Sequence, residues 1–218
     1  MGKDDRKGKR VDRNSRTATR VPELGYYIIV TDTEETEKNY FEGLRDTIPE
    51  EIRGRIVIKV KETSTKDLVE IAQELRNEDP QYRKPWIVFD RDQVKNFDDI
   101  IHRAEKIDIE VGWSNPCIEI WFFSYFENIP NINESWKCCD KFADLYFKKT
   151  GQKYEKASKE IYMKLNQYGN EDKAIERSKR KMIQLEADCS KRPSLMHTGN
   201  TVFKLIDEIK SKINLNYS

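Results

Sequence analysis

Pro85-Trp-Ile-Val-Phe-Asp-Arg-Asp92 runs four large apolar residues straight into three charges. A continuous apolar run of this length, entered through a proline and rich in β-branched and aromatic side chains, reads as a strand buried on both faces. Its charged end then marks the edge of a sheet. Two similar runs precede it. Gly25-Tyr-Tyr-Ile-Ile-Val-Thr31 is followed by the polar cluster Asp32-Thr-Glu-Glu-Thr-Glu37, which opens a helix with Tyr40, Phe41 and Leu44 on one face. Arg55-Ile-Val-Ile-Lys-Val-Lys61 is followed by Thr65, a candidate N-cap, and by Leu68, Ile71, Ala72 and Leu75 at helical spacing. After Asp92, the stripe Phe97, Ile100, Ile101 and Ala104 predicts another helix, and a fourth strand is expected near Ile107–Trp113.

Strands alternating with helices of about a dozen residues imply βαβ crossovers and a mostly parallel sheet with helices on both faces. The fold class is therefore α/β. From Asn115 onward the pattern changes. Ile118, Trp121, Phe122 and Phe126 predict a buried helix, and helical patterns cover Glu134–Lys149, Glu155–Gln167, Asp172–Ser190 and Thr201–Ile213. Three parts follow: an arm over 1–20, an α/β domain over 21–130, and a helical cap over 131–218 packed on the sheet.

The chain has 218 residues, and 36% of them are charged against 37% hydrophobic. Its mean hydropathy is −0.86. Nine Phe, ten Tyr and four Trp supply a core of few, large side chains, which excludes disorder throughout. No apolar run approaches the roughly 20 residues needed to cross a bilayer, and the start, MGKDDRKGKR, lacks the apolar segment of a secretory signal. The expectation is a cytoplasmic protein without membrane contact. Cys117, Cys138, Cys139 and Cys189 include one adjacent pair and no CxxC, so the spacing suggests neither zinc nor a disulfide framework. The net charge of +1 hides a division, because eight basic and three acidic residues within 1–20 leave +5 on the arm and −4 on the rest. So polar a segment cannot offset its ordering entropy, and a flexible basic arm is expected, either contacting phosphates or only aiding solubility.

The carboxyl ends of parallel strands are where ligands gather in such sheets. Asp32 ends the first strand, with Glu34, Glu35 and Glu37 beyond it, and Asp90-Arg-Asp92 ends the third. Carboxylates converging from separate strands repel and raise one another's pKa values, a cost that a divalent cation relieves. Mg²⁺ prefers an oxygen shell of one or two carboxylates, waters and substrate phosphates, and Mn²⁺ accepts the same ligands. Acidic residues at a helix start also complement its dipole, so Glu34, Glu35 and Glu37 have a purely stabilising alternative.

These residues carry a resemblance. Ile28-Ile-Val-Thr-Asp-Thr-Glu-Glu-Thr-Glu-Lys-Asn-Tyr-Phe41, Val88-Phe-Asp-Arg-Asp92, Ser114-Asn-Pro-Cys-Ile-Glu-Ile-Trp121 and Tyr154-Glu-Lys156 together resemble the RloB-like family of bacterial proteins, a branch of the Toprim superfamily. The resemblance implies a Toprim-like fold, Mg²⁺-dependent cleavage of RNA or DNA, and an effector role in anti-phage defence of the abortive-infection type. It also implies an ABC-type ATPase partner, and a homo-oligomer is a further expectation. Asp90 and Asp92 match the Asp-x-Asp metal ligands. Asp32 stands where the Toprim pattern has a glutamate, and Thr33 replaces the following glycine. Asp is one methylene shorter than Glu, so Glu34 or Glu37 is a candidate to complete the catalytic set with Asp32. Glu119 matches a family glutamate and is a candidate supporting residue, with Arg91, Asn115, Lys156 and His197 around it.

Several of these residues have simpler explanations. Asn115 or Ser114 would cap a helix starting at Pro116. Lys156 is a surface lysine at a helix start, and Lys173–Lys181 forms a basic helical face. His102 reads as structural, and Cys117 has no histidine at nucleophile spacing. The competing class is a non-catalytic module that docks on an ATPase or senses a nucleotide; a third is an enzyme of small phosphate esters. Deleting residues 1–20 is expected to reduce the slope of log affinity against log salt for nucleic acid, by about 0.9 for each duplex phosphate that the arm neutralises. An unchanged slope assigns the arm no such phosphate.

Overall fold

A computed structural model describes residues 23–32, 35–78, 83–92, 94–188 and 192–214. The basic arm, Thr33, Glu34 and Cys189 lie outside the described residues. The β-branched runs form four strands: β1 (Gly25–Thr31), β2 (Ile56–Glu62), β3 (Arg83–Asp90) and β4 (Glu110–Ser114). The helices between them are α1 (Glu35–Asp46), α2 (Leu68–Glu78) and α3 (Phe97–Glu105). All pairings are parallel and the order is β2-β1-β3-β4. The chain moves outward from β1 to β2, then crosses back to place β3 on the other side of β1. That reversal puts the topological switch point between β1 and β3. The α/β arrangement is consistent with a Toprim-like fold.

The registers align the strand ends. Thr31 lies opposite Val88, and Asp90 lies opposite Ser114. Tyr27, Ile29, Ile87 and Phe89 are fully buried, as expected for central strands covered on both faces.

The α/β domain ends in α4 (Glu119–Phe126), and the C-terminal part consists of α5 (Ser135–Thr150), α6 (Ile161–Tyr168), α7 (Glu171–Asp188) and α8 (Val202–Asn214). The helix α4 is apolar all round and buried, as befits a central helix. The open edge of β4 is covered by residues just before α8. There Thr201 donates its N–H to Trp113 O at 2.8 Å and its hydroxyl to Val111 O at 2.8 Å, and Trp113 N–H donates back to that hydroxyl at 2.9 Å. The cap is thus knitted to the sheet. Gly112 allows the approach, since a Cβ there would meet Val88 Cγ2 at 3.2 Å and Val202 Cα at 3.6 Å.

Some sequence expectations shift. Thr65 does not cap α2; it begins a short 3₁₀ turn, Thr65–Asp67, after Ser64, whose hydroxyl binds Asp67 at 2.5 Å. The fourth strand starts at Glu110, after Asp108 turns the chain at φ 56°. The sixth helix starts at Ile161 rather than Glu155, because residues 154–157 are engaged elsewhere. Asn115 and Pro116 precede α4 without capping it. The Asn115 N–H binds Gly199 O at 2.9 Å, its side chain binds the carbonyls of Pro193 and Ser194 at 3.1 and 3.2 Å, and its own carbonyl accepts from Thr198 N–H at 2.8 Å. Part of the basic helical face is also committed: Arg177 caps α4 through Ser124 O at 2.6 Å, and Lys179 pairs with Asp207 at 2.7 Å. No helix among the described residues is long and apolar enough to cross a membrane.

The contact between α1 and α6 offers a direct test of packing. A Cβ on Gly43 would lie 2.7 Å from Tyr162 Cβ, a stem atom that cannot swing aside. Helix propensity favours Ala by about 1 kcal/mol, whereas overpacking of this kind costs about 1–3 kcal/mol. Gly43→Ala is therefore expected to lower the stability measured by urea denaturation despite the better helix former.

Candidate functional site

Four carboxylates converge beyond the ends of β1 and β3. Asp32 follows β1, is 6% exposed, and donates its N–H to Val88 O of β3 at 3.3 Å. Asp90 closes β3, is half-buried, and accepts the N–H of Ile118 at 3.0 Å through Oδ2, so it caps the start of α4. Glu37 comes from the first turn of α1 and Glu119 from the first residue of α4, and both are 0% exposed.

Like charges at this depth cannot all ionise cheaply. Burial, followed by the charge of Asp32, pushes the Glu37 carboxyl well above the ordinary range, and Glu119 adds to it. Burial likewise raises Asp90, followed by the charges of Glu37, Asp32 and Glu119. Glu37 and Asp90 are therefore both raised by the charges around them. Both oxygens of Glu37, and Oε2 of Glu119, are buried without a well-formed hydrogen bond among the described residues. A buried anionic oxygen left in that state costs several kcal/mol unless it holds a proton or meets a cation. These oxygen-only ligands suit a hard divalent ion such as Mg²⁺ or Mn²⁺.

The segment Tyr154-Glu-Lys156 braces the cluster. Tyr154 donates its hydroxyl to Glu119 Oε1 at 3.0 Å. Burial and the Glu119 charge push the phenol well above its usual value, which keeps it a donor. Thr36 donates its hydroxyl to Lys156 O at 2.6 Å, and Asn39 donates to Ala157 O at 2.8 Å. These bonds fix the first turn of α1, and with it Glu37, against residues 154–157. The side chain of Lys156 is exposed, and its charge reaches the Cys139 thiol beside Glu119.

The sequence candidates separate accordingly. Asp32, Glu37, Asp90 and Glu119 are brought together, and Lys156 lies beside them. Asp92 is exposed, its N–H bound to Pro116 O at 3.1 Å, one turn past the buried group. Arg91 is half-buried and its N–H binds Ser114 O at 2.8 Å. Asn115 is buried and organises the 193–199 loop, on which His197 is exposed. Glu35 is exposed at the start of α1, where a dipole role suffices, while its neighbour Glu37 is buried. Sequence reasoning missed the support that Tyr154 gives Glu119. A phenol in the same short motif as Lys156 was the available signal. Concavity does not single out the site: hollows of about 360 Å³ at Arg45–Ile58 and at Asp98–Pro193 are lined by none of the four carboxylates. A hollow of about 210 Å³ lined by Tyr146, Lys153, Tyr154 and Lys164 does border it through Tyr154.

The fold and this cluster define an α/β protein that gathers carboxylates at the switch point of a parallel sheet. The family model described as RloB-like protein matches residues 27–209, and the chain belongs to the RloB-like family. No curated protein and no solved structure matches the chain.

The raised carboxyls make a signed prediction. In the folded protein Glu37 and Asp90 hold protons that the unfolded chain releases from about pH 4 upward, so their burial destabilises the metal-free protein progressively as pH rises toward the raised values. Each such proton contributes up to about 1.4 kcal/mol per pH unit. Thermal melts at pH 6 and pH 8 are expected to show a lower Tm at pH 8, a Mg²⁺-dependent gain that is larger at pH 8, and a flatter pH slope in Glu37→Gln.

Proposed function

We propose that this chain is a divalent-metal-dependent nuclease of Toprim type that hydrolyses phosphodiester bonds in RNA or DNA. The observation that carries the reading is Glu37, a fully buried glutamate set among the acids Asp32, Asp90 and Glu119, with its carboxyl pushed well above the ordinary range by burial and then by the Asp32 charge. That arrangement costs stability unless the acids hold protons or meet a cation, and a divalent cation would relieve the repulsion of the whole group. Asp90, Glu37 and Asp32 would hold Mg²⁺ or Mn²⁺, with Glu119 behind them. When bound, such an ion lowers the pKa of a water and offsets charge on phosphoryl oxygens.

The chain's own groups supply the rest. Asp90, pinned to the α4 amide, and Glu37, pinned through Thr36 and Asn39 of the same helix, present fixed oxygens at the switch point. Tyr154 keeps Glu119 oriented through its hydroxyl. Lys156 offers a positive charge at the rim for a substrate phosphate, and the basic arm offers a longer-range attraction. The hollow lined by Tyr146, Tyr154, Lys153 and Lys164 meets the carboxylates through Tyr154 alone, and its aromatic and ammonium groups suit a nucleotide flanking the scissile bond. The family resemblance supports the wider setting: a cytoplasmic effector of anti-phage defence that an ABC-type ATPase partner restrains or triggers.

A panel of tRNA, plasmid and mononucleotides incubated with Mg²⁺ or Mn²⁺ tests the reading. Cleavage of a nucleic acid is expected, dependent on the metal, and reduced at least about 10²-fold by Glu37→Gln or Asp90→Asn. Glu119→Gln is expected to weaken metal affinity by about 10–100-fold. Cleavage undiminished in both Glu37→Gln and Asp90→Asn would refute it. Turnover of mononucleotides alone would reassign the substrate, and inert wild type with intact ATPase binding would favour a docking module.

A further inference from the structure

Beyond the carboxylates, three of the four cysteines meet in one place. Cys117 precedes α4, and Cys138 and Cys139 lie near the start of α5. The Cys117 thiol has the thiols of Cys138 and Cys139 within hydrogen-bonding reach, and its sulfur approaches Ser135 O at 3.9 Å. The sulfurs of Cys117 and Cys139 and a carboxylate oxygen of Glu119 all lie within 4.8 Å of one another.

We infer that Cys117, Cys139 and Glu119 form a binding site for a thiophilic divalent cation of the zinc class, separate from the oxygen-lined cluster and joined to it through Glu119. Three observations support the assignment. The first is spacing: with Zn–S near 2.3 Å and Zn–O near 2.0–2.2 Å, tetrahedral ligands stand roughly 3.5–3.8 Å apart, so a contraction of about 1 Å at most brings these atoms onto one ion. The second is the carboxylate. Glu119 is 0% exposed, its Oε1 is held by Tyr154, and its Oε2 has no partner among the described residues. The third is access. Cys117 is 1% exposed and Cys138 0%, but Cys139 is half-buried and gives the site an opening to solvent.

Donor chemistry separates this site from its neighbour. Two sulfurs and one oxygen favour a borderline-soft ion, whereas carboxylates alone favour Mg²⁺. Three protein ligands leave a fourth position for water or an incoming group. On binding, the Cys117 and Cys139 thiols each lose a proton to solvent and form metal–sulfur bonds, so two protons are released per ion with no change in oxidation state. The site links the start of α4, which Asp90 caps, to the start of α5. The inference does not depend on nuclease activity.

Cobalt(II) reports the site directly, because thiolate ligands give it a charge-transfer absorption and a tetrahedral shell intensifies its visible bands. The full-length chain, reduced and freed of metal, is titrated with Co²⁺ in excess Mg²⁺, which occupies oxygen-only sites. One equivalent is expected to develop the thiolate band, and one equivalent of Zn²⁺ is expected to abolish it. Cys139→Ser, at the half-buried position, is expected to cut the band to about half or less, leaving the Cys117 thiolate, and to weaken Zn²⁺ binding by about 100-fold or more. Glu119→Gln is expected to keep the band and weaken binding by about 10-fold. Circular dichroism and melting confirm that each variant is folded. Absence of the band in wild type, or a band of undiminished intensity in Cys139→Ser, overturns the inference; the second outcome would place the thiolate ligands elsewhere, for example at Cys189.

Discussion

Everything at the carboxyl edge of this sheet depends on one constraint: like charges brought out of water must be neutralised. Asp32 and Asp90 are delivered by two adjacent parallel strands, and no shift in register can separate them without breaking the β1–β3 pairing. Glu37 and Glu119 then close over them from two helix starts. Helix N-termini favour anions, and Asp90 draws a full hydrogen bond from the Ile118 amide. Glu37 has hydrogen bonds on offer from its own backbone amide and from Asp90, yet burial and then the Asp32 charge still push its carboxyl well above the ordinary range. The helix dipole accounts for where these acids can sit, but it does not offset the burial of a carboxyl set among three others.

Holding that arrangement takes rigidity elsewhere, and a buried polar relay behind the site supplies it. Trp121 Nε1 donates to Tyr40 OH at 2.9 Å, and Tyr40 OH lies 2.8 Å from Tyr125 OH, which in turn donates to Glu171 Oε1 at 2.9 Å. Since Tyr125 spends its proton on Glu171, Tyr40 must donate to Tyr125, and every hydroxyl in the chain both gives and accepts. Lys210 of α8 closes the line at 3.4 Å from Glu171 and 2.8 Å from Asp172. Tyr40 sits one turn after Glu37 on α1, and Trp121 two residues after Glu119 on α4. The relay therefore fixes the relative position of the two helices that bring in the buried glutamates. A fully satisfied network is costly to disturb, because breaking one link strands the next group without water.

The strands and most helices were legible in the sequence because their periods are local: the run Gly25–Thr31 is β1 residue for residue. Asp32 and Asp90 were legible as neighbours for the same reason, since topology alone carries two parallel strand ends to one edge. Glu37 was ambiguous. Glu35 and Glu37 look alike as acidic residues at a helix start, but two residues apart they leave α1 on nearly opposite sides, and Glu37 shares the buried stripe of Tyr40, Phe41 and Leu44. Asn115 misled as a cap because its partners lie nearly eighty residues further along the chain. The thiol group was invisible for a related reason. An adjacent Cys pair with no CxxC does not suggest a metal, and Cys117 joins it only when α4 packs against the start of α5.

The departure at Asp32 changes meaning once Glu37 is placed. A glutamate at the end of β1 would extend into the switch point by itself, whereas the shorter Asp32 is held close to β3 by its own amide on Val88. The reach lost at Asp32 is available from α1, where Glu37 extends its longer side chain back toward Asp32 and Asp90, close enough for both carboxyls to act on its own. A substitution that shortens one ligand is tolerable when a second acid enters from an independently anchored element. Thr36 and Asn39 are that anchor, and both bind the backbone of the segment that also carries Tyr154 and Lys156. The first turn of α1 thus ties Glu37 to the segment that carries Tyr154 and Lys156. On the proposed metal-binding reading, the shorter Asp32 therefore amounts to a redistribution of carboxylates between strand and helix, with Glu37 entering from α1.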